Sequence, residues 1–234
     1  MPVPMMPVPI QLISSMATRA VLAALATQYH AVARQQVLLE SAGGVDVATR
    51  VRDGALVDVV VLAAEVIDQL IVEGKLLAGS RVDLVKSGVA VAVPAGAAQP
   101  DISSENSLRV AVLAAKTLSY STGPSGVYLS KLFERWGILD TIRPRIVQAP
   151  PGVPVGSLVA KGDVELGFQQ LSELINLQGI TLVGPLPPAI QLLTTFSAGI
   201  SVTTRQVEAA RGLIAFMAAP AAAETKYRQG MEPG

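Results

Sequence analysis

Residues 57–64 read Val-Asp-Val-Val-Val-Leu-Ala-Ala, a β-branched run closed by alanines. A strand this uniformly apolar leaves no face for water. It belongs inside a parallel sheet with helices packed on both sides. The next stretch, EVIDQLIVEGKL, has helical spacing and closes near Gly74. Upstream, IQLIS (Ile10 to Ser14) reads as a strand. SMATRAVLAALATQYHAVARQ reads as a helix, with Val21, Leu22, Leu25 and Tyr29 on one face and Ser15 as its N-cap. QVLLES (Gln36 to Ser41) reads as a second strand. AGGVDVATRVRDG then gives a glycine turn and a helix ending at Gly54. Strand, helix, strand, helix predicts an α/β class with a parallel sheet.

A second series follows. SGVAVAVPAG (Ser87 to Gly96) is a strand ended by Pro94, and the segment from Gln99 to Asn106 is polar. TLSYST, RIVQAP, VELGFQQ and ITLVGPLP read as strands; SGVYLSKLFERWG, PVGSLVAKG and LSELINLQG read as the helices between them. TTFSAGISVTT (Thr194 to Thr204) is a further strand, and the tail is helical, with Pro220 opening its last portion. The two series predict two lobes, each a sheet flanked by helices. Residues 1–87 with 201–234 form one and 88–200 the other, joined by crossing strands near 88–94 and 195–203. Ligands of such sheets sit beyond the carboxyl ends of the strands, here in a cleft that closes by hinge bending.

Composition narrows the function. A chain of 234 residues can bury a sizeable core. Half of it is apolar but only 4% is aromatic, so Ala, Val, Leu and Gly must fill that core. Net charge is zero with no basic stretch, which removes the electrostatic footprint of nucleic-acid binding. Without cysteine there is no disulfide, no thiolate chemistry and no Cys-bound metal; with one histidine, no metal site is expected. No cofactor motif appears: the phosphate-loop lysine and the GxSxG elbow are both missing. MPVPMMPVPIQL, broken by four prolines, reads as an extended lead-in rather than a secretory signal. No window of about 18 apolar residues marks a membrane span. The expected location is the periplasm if a leader is missing from this chain, and otherwise the cytoplasm.

Five strand-to-helix junctions carry small polar residues: Ser14-Ser15 leading into Met16, Ala42-Gly43-Gly44, Ser121 to Gly126, Gly152 to Gly156, and Gln169-Gln170. Each helix start offers unpaired N–H groups and a partial positive charge. Aimed at one cleft, they bind an anion without any cationic side chain; taken singly, they are ordinary capping and turn chemistry. The candidate ligand-binding residues are Ser14, Ser15, Met16, Gly43, Gly44, Ser121, Thr122, Ser125, Gly126, Val155, Gln169 and Gln170. Pro154 has no N–H, which makes Val155 the donor of its pair. No catalytic residue is assigned. His30 reads as a solvated mid-helix residue. Glu40 and Asp46 flank the glycine turn, either approaching the cleft or merely solvated. Arg19 and Arg50 read as a carboxylate's partners or as surface charge, and Tyr120 and Trp136 as core.

The order of these segments resembles that of the molybdate-binding, type II periplasmic solute-binding proteins. ISSMATRAVLAAL resembles their opening loop, and DVVVLAAEVIDQLIVEGKL their third strand and helix, with Val57-Asp58 where an Ala-Asp pair is usual. YSTGPSGVYLSKLFERWGI resembles their Pro-Ala-Gly loop and helix, KGDVELGFQQLSEL a later strand and loop, and AAPAAAETKYRQG the usual ending. The resemblance implies the two-lobed type II periplasmic-binding-protein fold and a small anionic ligand. It also implies an ABC transporter membrane component as partner. It makes Ser15 a hydroxyl and amide donor, and Ser125 and Val155 amide donors. Gly43 or Gly44 stands where a serine is common, and Gln170 where a tyrosine is. Those departures leave a small carboxylate open beside molybdate and other oxyanions. SGVYL and GFQQLSEL also resemble aconitate isomerase, an enzyme branch of the same fold. The alternative function is therefore a proton shift on a tricarboxylate.

Overall fold

The computed structural model describes residues 8–149 and 153–234. Met1 to Pro7, most of the extended lead-in, and Pro150 to Gly152, which open the fourth junction, lie outside the described residues. In chain order the elements are β1 Ile10–Ser15, α1 Arg19–Ala33, β2 Val37–Ala42, α2 Gly44–Arg52, β3 Val59–Ala63, α3 Ala64–Val72 and β4 Val82–Pro94. Then come α4 Glu105–Ala114, β5 Leu118–Tyr120, α5 Pro124–Arg135, α6 Leu139–Ile142, α7 Val155–Lys161, β6 Leu166–Gln170, α8 Leu171–Leu174 and β7 Ile180–Pro185. The chain ends with β8 Leu193–Ile200, α9 Val207–Ala218, α10 Ala223–Arg228 and β9 Glu232–Pro233. By internal contacts the chain divides into two units, Met1–Lys86 with Thr195–Gly234, and Ser87–Thr194. β4 and β8 carry the chain from one to the other.

In the first unit, β1 pairs in parallel with both β2 and β3, and β3 pairs antiparallel with β8. All five residues of β3 are buried. Alternate side chains serve opposite layers, as the pleat requires. Val59 and Val61 pack with Val21, Leu22 and Leu25 of α1 and with Leu213 and Ile214 of α9. Val60 and Leu62 pack with Val47 and Val51 of α2 and with Ile67 and Leu70 of α3. The second unit repeats the plan. β6 lies between β5, in parallel, and β4, antiparallel; β7 takes β4's other edge. Val89, Val91 and Phe168 face α4, α5 and α6, while Ala90 and Ala92 face α7. Close packing there needs a glycine. A Cβ on Gly167 of β6 would stand 2.4 Å from Val159 Cγ2.

Several sequence readings need correction. RIVQAP forms no strand among its described residues. Ile146 makes one isolated bridge to Leu118, and a 3-10 turn covers Arg143–Arg145. The Arg145 guanidinium donates to the Leu113 and Ala115 carbonyls (2.8 and 2.7 Å), so this segment is spent closing α4. The helix α4 itself was hidden in the polar segment, where Ser104 Oγ caps it by accepting from the Ser107 N–H (3.1 Å). LSELINLQG forms only the four-residue α8. The strand read from Ser87 starts earlier, at Val82, and the one read to Thr204 stops at Ile200.

Asp58 explains that last stop. Buried just before β3, its carboxylate accepts the Gln11 N–H of β1 (2.7 Å), the Thr204 hydroxyl and the Gln206 side-chain amide (2.8 Å). The chain leaving β8 is thereby turned onto the start of β1. Asp58→Ala strands three donors and is expected to lower the unfolding free energy by about 2–4 kcal/mol, read as a shift in urea midpoint at unchanged slope.

Candidate functional site

In the first unit the carboxyl ends of β1, β2 and β3 lie side by side, Ser14 opposite both Ser41 and Val61. Each end turns directly into a helix. β1 runs into a 3-10 turn, Met16–Thr18, ahead of α1; β2 passes through Gly43 to α2; β3 joins α3 without a spacer. Ser15 does not cap α1 as its position promised. It precedes the 3-10 turn and makes no side-chain cap bond. Its Oγ is buried with no hydrogen-bond partner among the described residues. Ser14 is committed inside the fold, its hydroxyl on Ser41 Oγ (2.8 Å) and the Ser15 carbonyl (3.2 Å). A Cβ on Gly44 would meet only Leu62 Cδ2 and Ser15 Cβ, both at 3.9 Å, so Gly44 and Ser15 are neighbours with room for a side chain there. As first residue of α2, Gly44 has an N–H without an intrahelical acceptor. Met16 is half-buried at the start of the 3-10 turn.

Other candidates are spoken for. Asp46 is exposed in the first turn of α2, its carboxylate within 3.1 Å of where a Gly43 Cβ would stand, so it offsets that helix's own positive end. Glu40 and Arg50 form an exposed two-pronged pair with each other (2.6 and 2.8 Å). The guanidinium lowers the Glu40 pKa through that hydrogen bond. Arg19 and His30 are exposed on α1. Tyr120 packs edge-on against Phe133. Trp136 packs on the same ring and donates its indole N–H to Glu105 (2.6 Å); both residues are half-buried at the margin of the core rather than inside it.

In the second unit β5 ends at Tyr120, opposite Phe168, and β6 runs two residues further to Gln170. After β5 the chain folds so tightly that a Cβ on Gly126 would sit 1.5 Å from the Ser121 carbonyl oxygen; only glycine fits. Ser121 Oγ and Ser125 Oγ share a hydrogen bond (2.9 Å), and Thr122 is exposed. Pro124 and Ser125 open α5, leaving the buried Ser125 N–H without an intrahelical acceptor. Val155, buried at the first position of α7, is in the same situation. The two glutamines are buried and internally bonded. Gln170 lies against Thr194 Oγ1 (3.0 Å). Oriented to accept there, its amide donates to the Ser87 carbonyl (3.0 Å). Gln169 Oε1 accepts the Gly156 N–H (2.9 Å), which fixes its Nε2 toward Glu173 Oε1 (2.7 Å).

Glu173 is the residue that sequence reasoning missed. It reads as one more surface carboxylate on a short helix, four residues past Gln169. In the fold its side chain is half-buried, and burial pushes its pKa up to about 7 against the opposing pull of the Gln169 hydrogen bond. Among the described residues no cluster of three or more His, Cys, Asp or Glu is arranged to hold a metal, and no helix is long and apolar enough to cross a membrane.

The raised pKa has a sign. The native state holds the Glu173 proton where the unfolded chain, at the ordinary 4.5, has released it. Stability is therefore lost as pH rises from about 4.5 to about 7, and no more is lost above. Glu173→Gln is expected to raise the melting temperature at pH 8 and to leave it nearly unchanged at pH 4, measured by calorimetry.

Comparison with known proteins follows the same lines. The family model for bacterial extracellular solute-binding proteins matches residues 10–232. An aconitate isomerase from Pseudomonas sp is 38% identical over 176 residues, 75% of this chain and 67% of that protein. The periplasmic molybdate-binding protein of Azotobacter vinelandii superposes with a TM-score of 0.80 at 23% identity, over 96% of this chain and 99% of that one. The sulfate-binding protein SubI from Mycobacterium tuberculosis gives 0.79 at 17% identity, over 97% and 87%. At such identities the structural likeness speaks for the fold, which is that of the type II periplasmic binding proteins. The chain belongs to the bacterial extracellular solute-binding protein family.

Proposed function

We propose that this chain binds a small anion, an oxyanion or a small carboxylate, as the periplasmic solute receptor of an ABC-type transporter. The observation that carries this reading is the buried Ser15 hydroxyl, unpartnered beside the first amide of α2. A sealed hydroxyl without a partner costs free energy, of order 1–3 kcal/mol, and a ligand that accepts from it recovers that cost. Gly43 and Gly44 at that same helix start, and Ser125 and Val155 at others, add main-chain donors, whereas the Gly126 N–H is taken by the Gly123 carbonyl (3.0 Å). The solved relatives that bind molybdate and sulfate by name support an oxyanion. The named isomerase supports a tricarboxylate instead, with turnover. In that second reading a carboxyl that titrates near neutrality is suited to moving the proton.

A thermal-shift panel of molybdate, tungstate, sulfate, phosphate, citrate and both aconitates tests the reading. A ligand at a hundred times its Kd adds about 2.7 kcal/mol to stability, a clear rise in melting temperature. No rise with any of them refutes anion binding. Incubation with cis-aconitate, followed in the ultraviolet, decides between receptor and isomerase: an unchanged spectrum is the receptor outcome. Ser15→Ala is expected to leave the free protein as stable or slightly more so, and to weaken the bound anion about tenfold or more. Ser125→Ala should bind almost normally and Ser125→Pro poorly, since only proline removes the N–H. Equal losses in the two Ser125 variants would exclude its amide as the donor.

A further inference from the structure

Gly44 is a glycine that the fold itself does not require. Glycine weakens a helix, and it is needed where φ is positive or where a Cβ has no room. Gly44 opens the nine-residue α2 and is not among the glycines with positive φ. The other described glycines inside helices are crowded. A Cβ would stand 1.5 Å from the Ser121 carbonyl oxygen at Gly126, 2.5 Å from Leu177 Cδ2 at Gly156 and 3.3 Å from the Tyr29 hydroxyl at Gly212. At Gly44 its nearest neighbours are Leu62 Cδ2 and Ser15 Cβ, both at an ordinary contact distance of 3.9 Å. Alanine would fit there and would suit the helix better. The glycine instead leaves a space the size of a methyl group, open on one side because Gly44 is only half-buried.

The walls of that space are carbon: a buried Leu62 methyl and the Ser15 methylene. Ala42, opposite Ser15 in the β1–β2 register, and Ala63, next to Leu62, add only methyl groups to the strand ends. The donors beside it are few. They are the Ser15 hydroxyl, on a residue only 7% exposed and without a partner among the described residues, and the first-turn N–H groups of α2. The charge at this helix start is negative, with Asp46 Oδ2 3.1 Å from where a Gly43 Cβ would stand. A doubly charged oxyanion placed here is repelled twice as strongly as a carboxylate, which brings a single charge. An oxyanion would also turn an oxygen toward walls that hold no donor, forfeiting a hydrogen bond it had in water. We propose that Gly44 is a specificity-determining residue and that the ligand is an organic carboxylate. One carboxylate group takes the Ser15 hydroxyl and the α2 amides, and the carbon beside it occupies the space left at Gly44. The inference rests on the anion-binding reading above and narrows its ligand class.

Isothermal titration of the wild-type chain and of Gly44→Ala with citrate, trans-aconitate, molybdate and sulfate tests it. In the wild type, one of the two carboxylates is expected to bind about tenfold tighter, or more, than either inorganic anion. Without ligand, Gly44→Ala is expected to melt no lower than wild type, since the new methyl fits the fold and suits the helix. The same methyl fills the ligand's space. The Kd of the carboxylate is therefore expected to rise about tenfold or more, and that of molybdate or sulfate by less than about threefold. Tighter wild-type binding of molybdate or sulfate, a carboxylate Kd unchanged in Gly44→Ala, or equal losses for both kinds of anion overturns the role of Gly44 while anion binding stands. A marked fall in the melting temperature of free Gly44→Ala overturns it too, by giving the glycine a structural reason. Absence of binding by all four anions overturns the anion-binding reading for these ligands, and with it this inference.

Discussion

The structure depends on a dry central strand. β3 has no exposed residue, so both faces of the first sheet must be roofed by helices. On the β1 side it is met by parallel pairing and helical crossovers, since a parallel strand cannot be reached by a tight turn, while β8 pairs antiparallel on the other side. It also decides where polar chemistry can collect. Strands that run the same way end on the same edge, and each end must pass into a helix start. Ser15, Gly43 and Ala63 are brought to one edge by this constraint and not by any attraction among themselves. The second unit reaches the same result with β5 and β6, at lower volume, because alanines on β4 and a glycine on β6 let α7 sit close.

In each unit, hydrogen bonds at the strand ends separate structural side chains from free ones. Most of the polar side chains at the junctions are consumed locally. Ser14 bonds to Ser41, Ser121 to Ser125, Gln170 to Thr194 and Gln169 to the Gly156 amide. Such bonds set the loops' shapes and leave the side chains little to offer a ligand. What remains in the first unit is the Ser15 hydroxyl beside the first amide of α2; in the second it is the first amides of α5 and α7, and separately the half-buried Glu173 carboxyl. A helix start that keeps its first amide free, with no cation beside it, is a fixed dipole suited to a compact acceptor.

The unsatisfied groups also give the protein something to gain from its ligand. A hydroxyl sealed without a partner, as at Ser15, is a small destabilisation of the free state. Any acceptor that pairs with such a hydroxyl stabilises the fold by mass action.

The alternation of strands and helices, the all-buried β3 and the absence of cysteine chemistry were legible from the sequence, because they rest on local periodicity and composition. The same holds for the junction serines and glycines as places where helices begin. Three things were decided only by tertiary structure. RIVQAP is β-branched enough to read as a strand, but Arg145 reaches two carbonyls of another helix and draws the segment out of the sheet. The glutamines read as ligands, but each finds partners in its own unit that no spacing rule could supply. Glu173 has the residue type and exposure pattern of any surface acid. Its raised pKa comes from burial in the folded chain, against the pull of the Gln169 hydrogen bond. Periodicity fixes which face of an element is dry, but a single side chain's solvation depends on everything packed around it, and that exists only once the chain has folded.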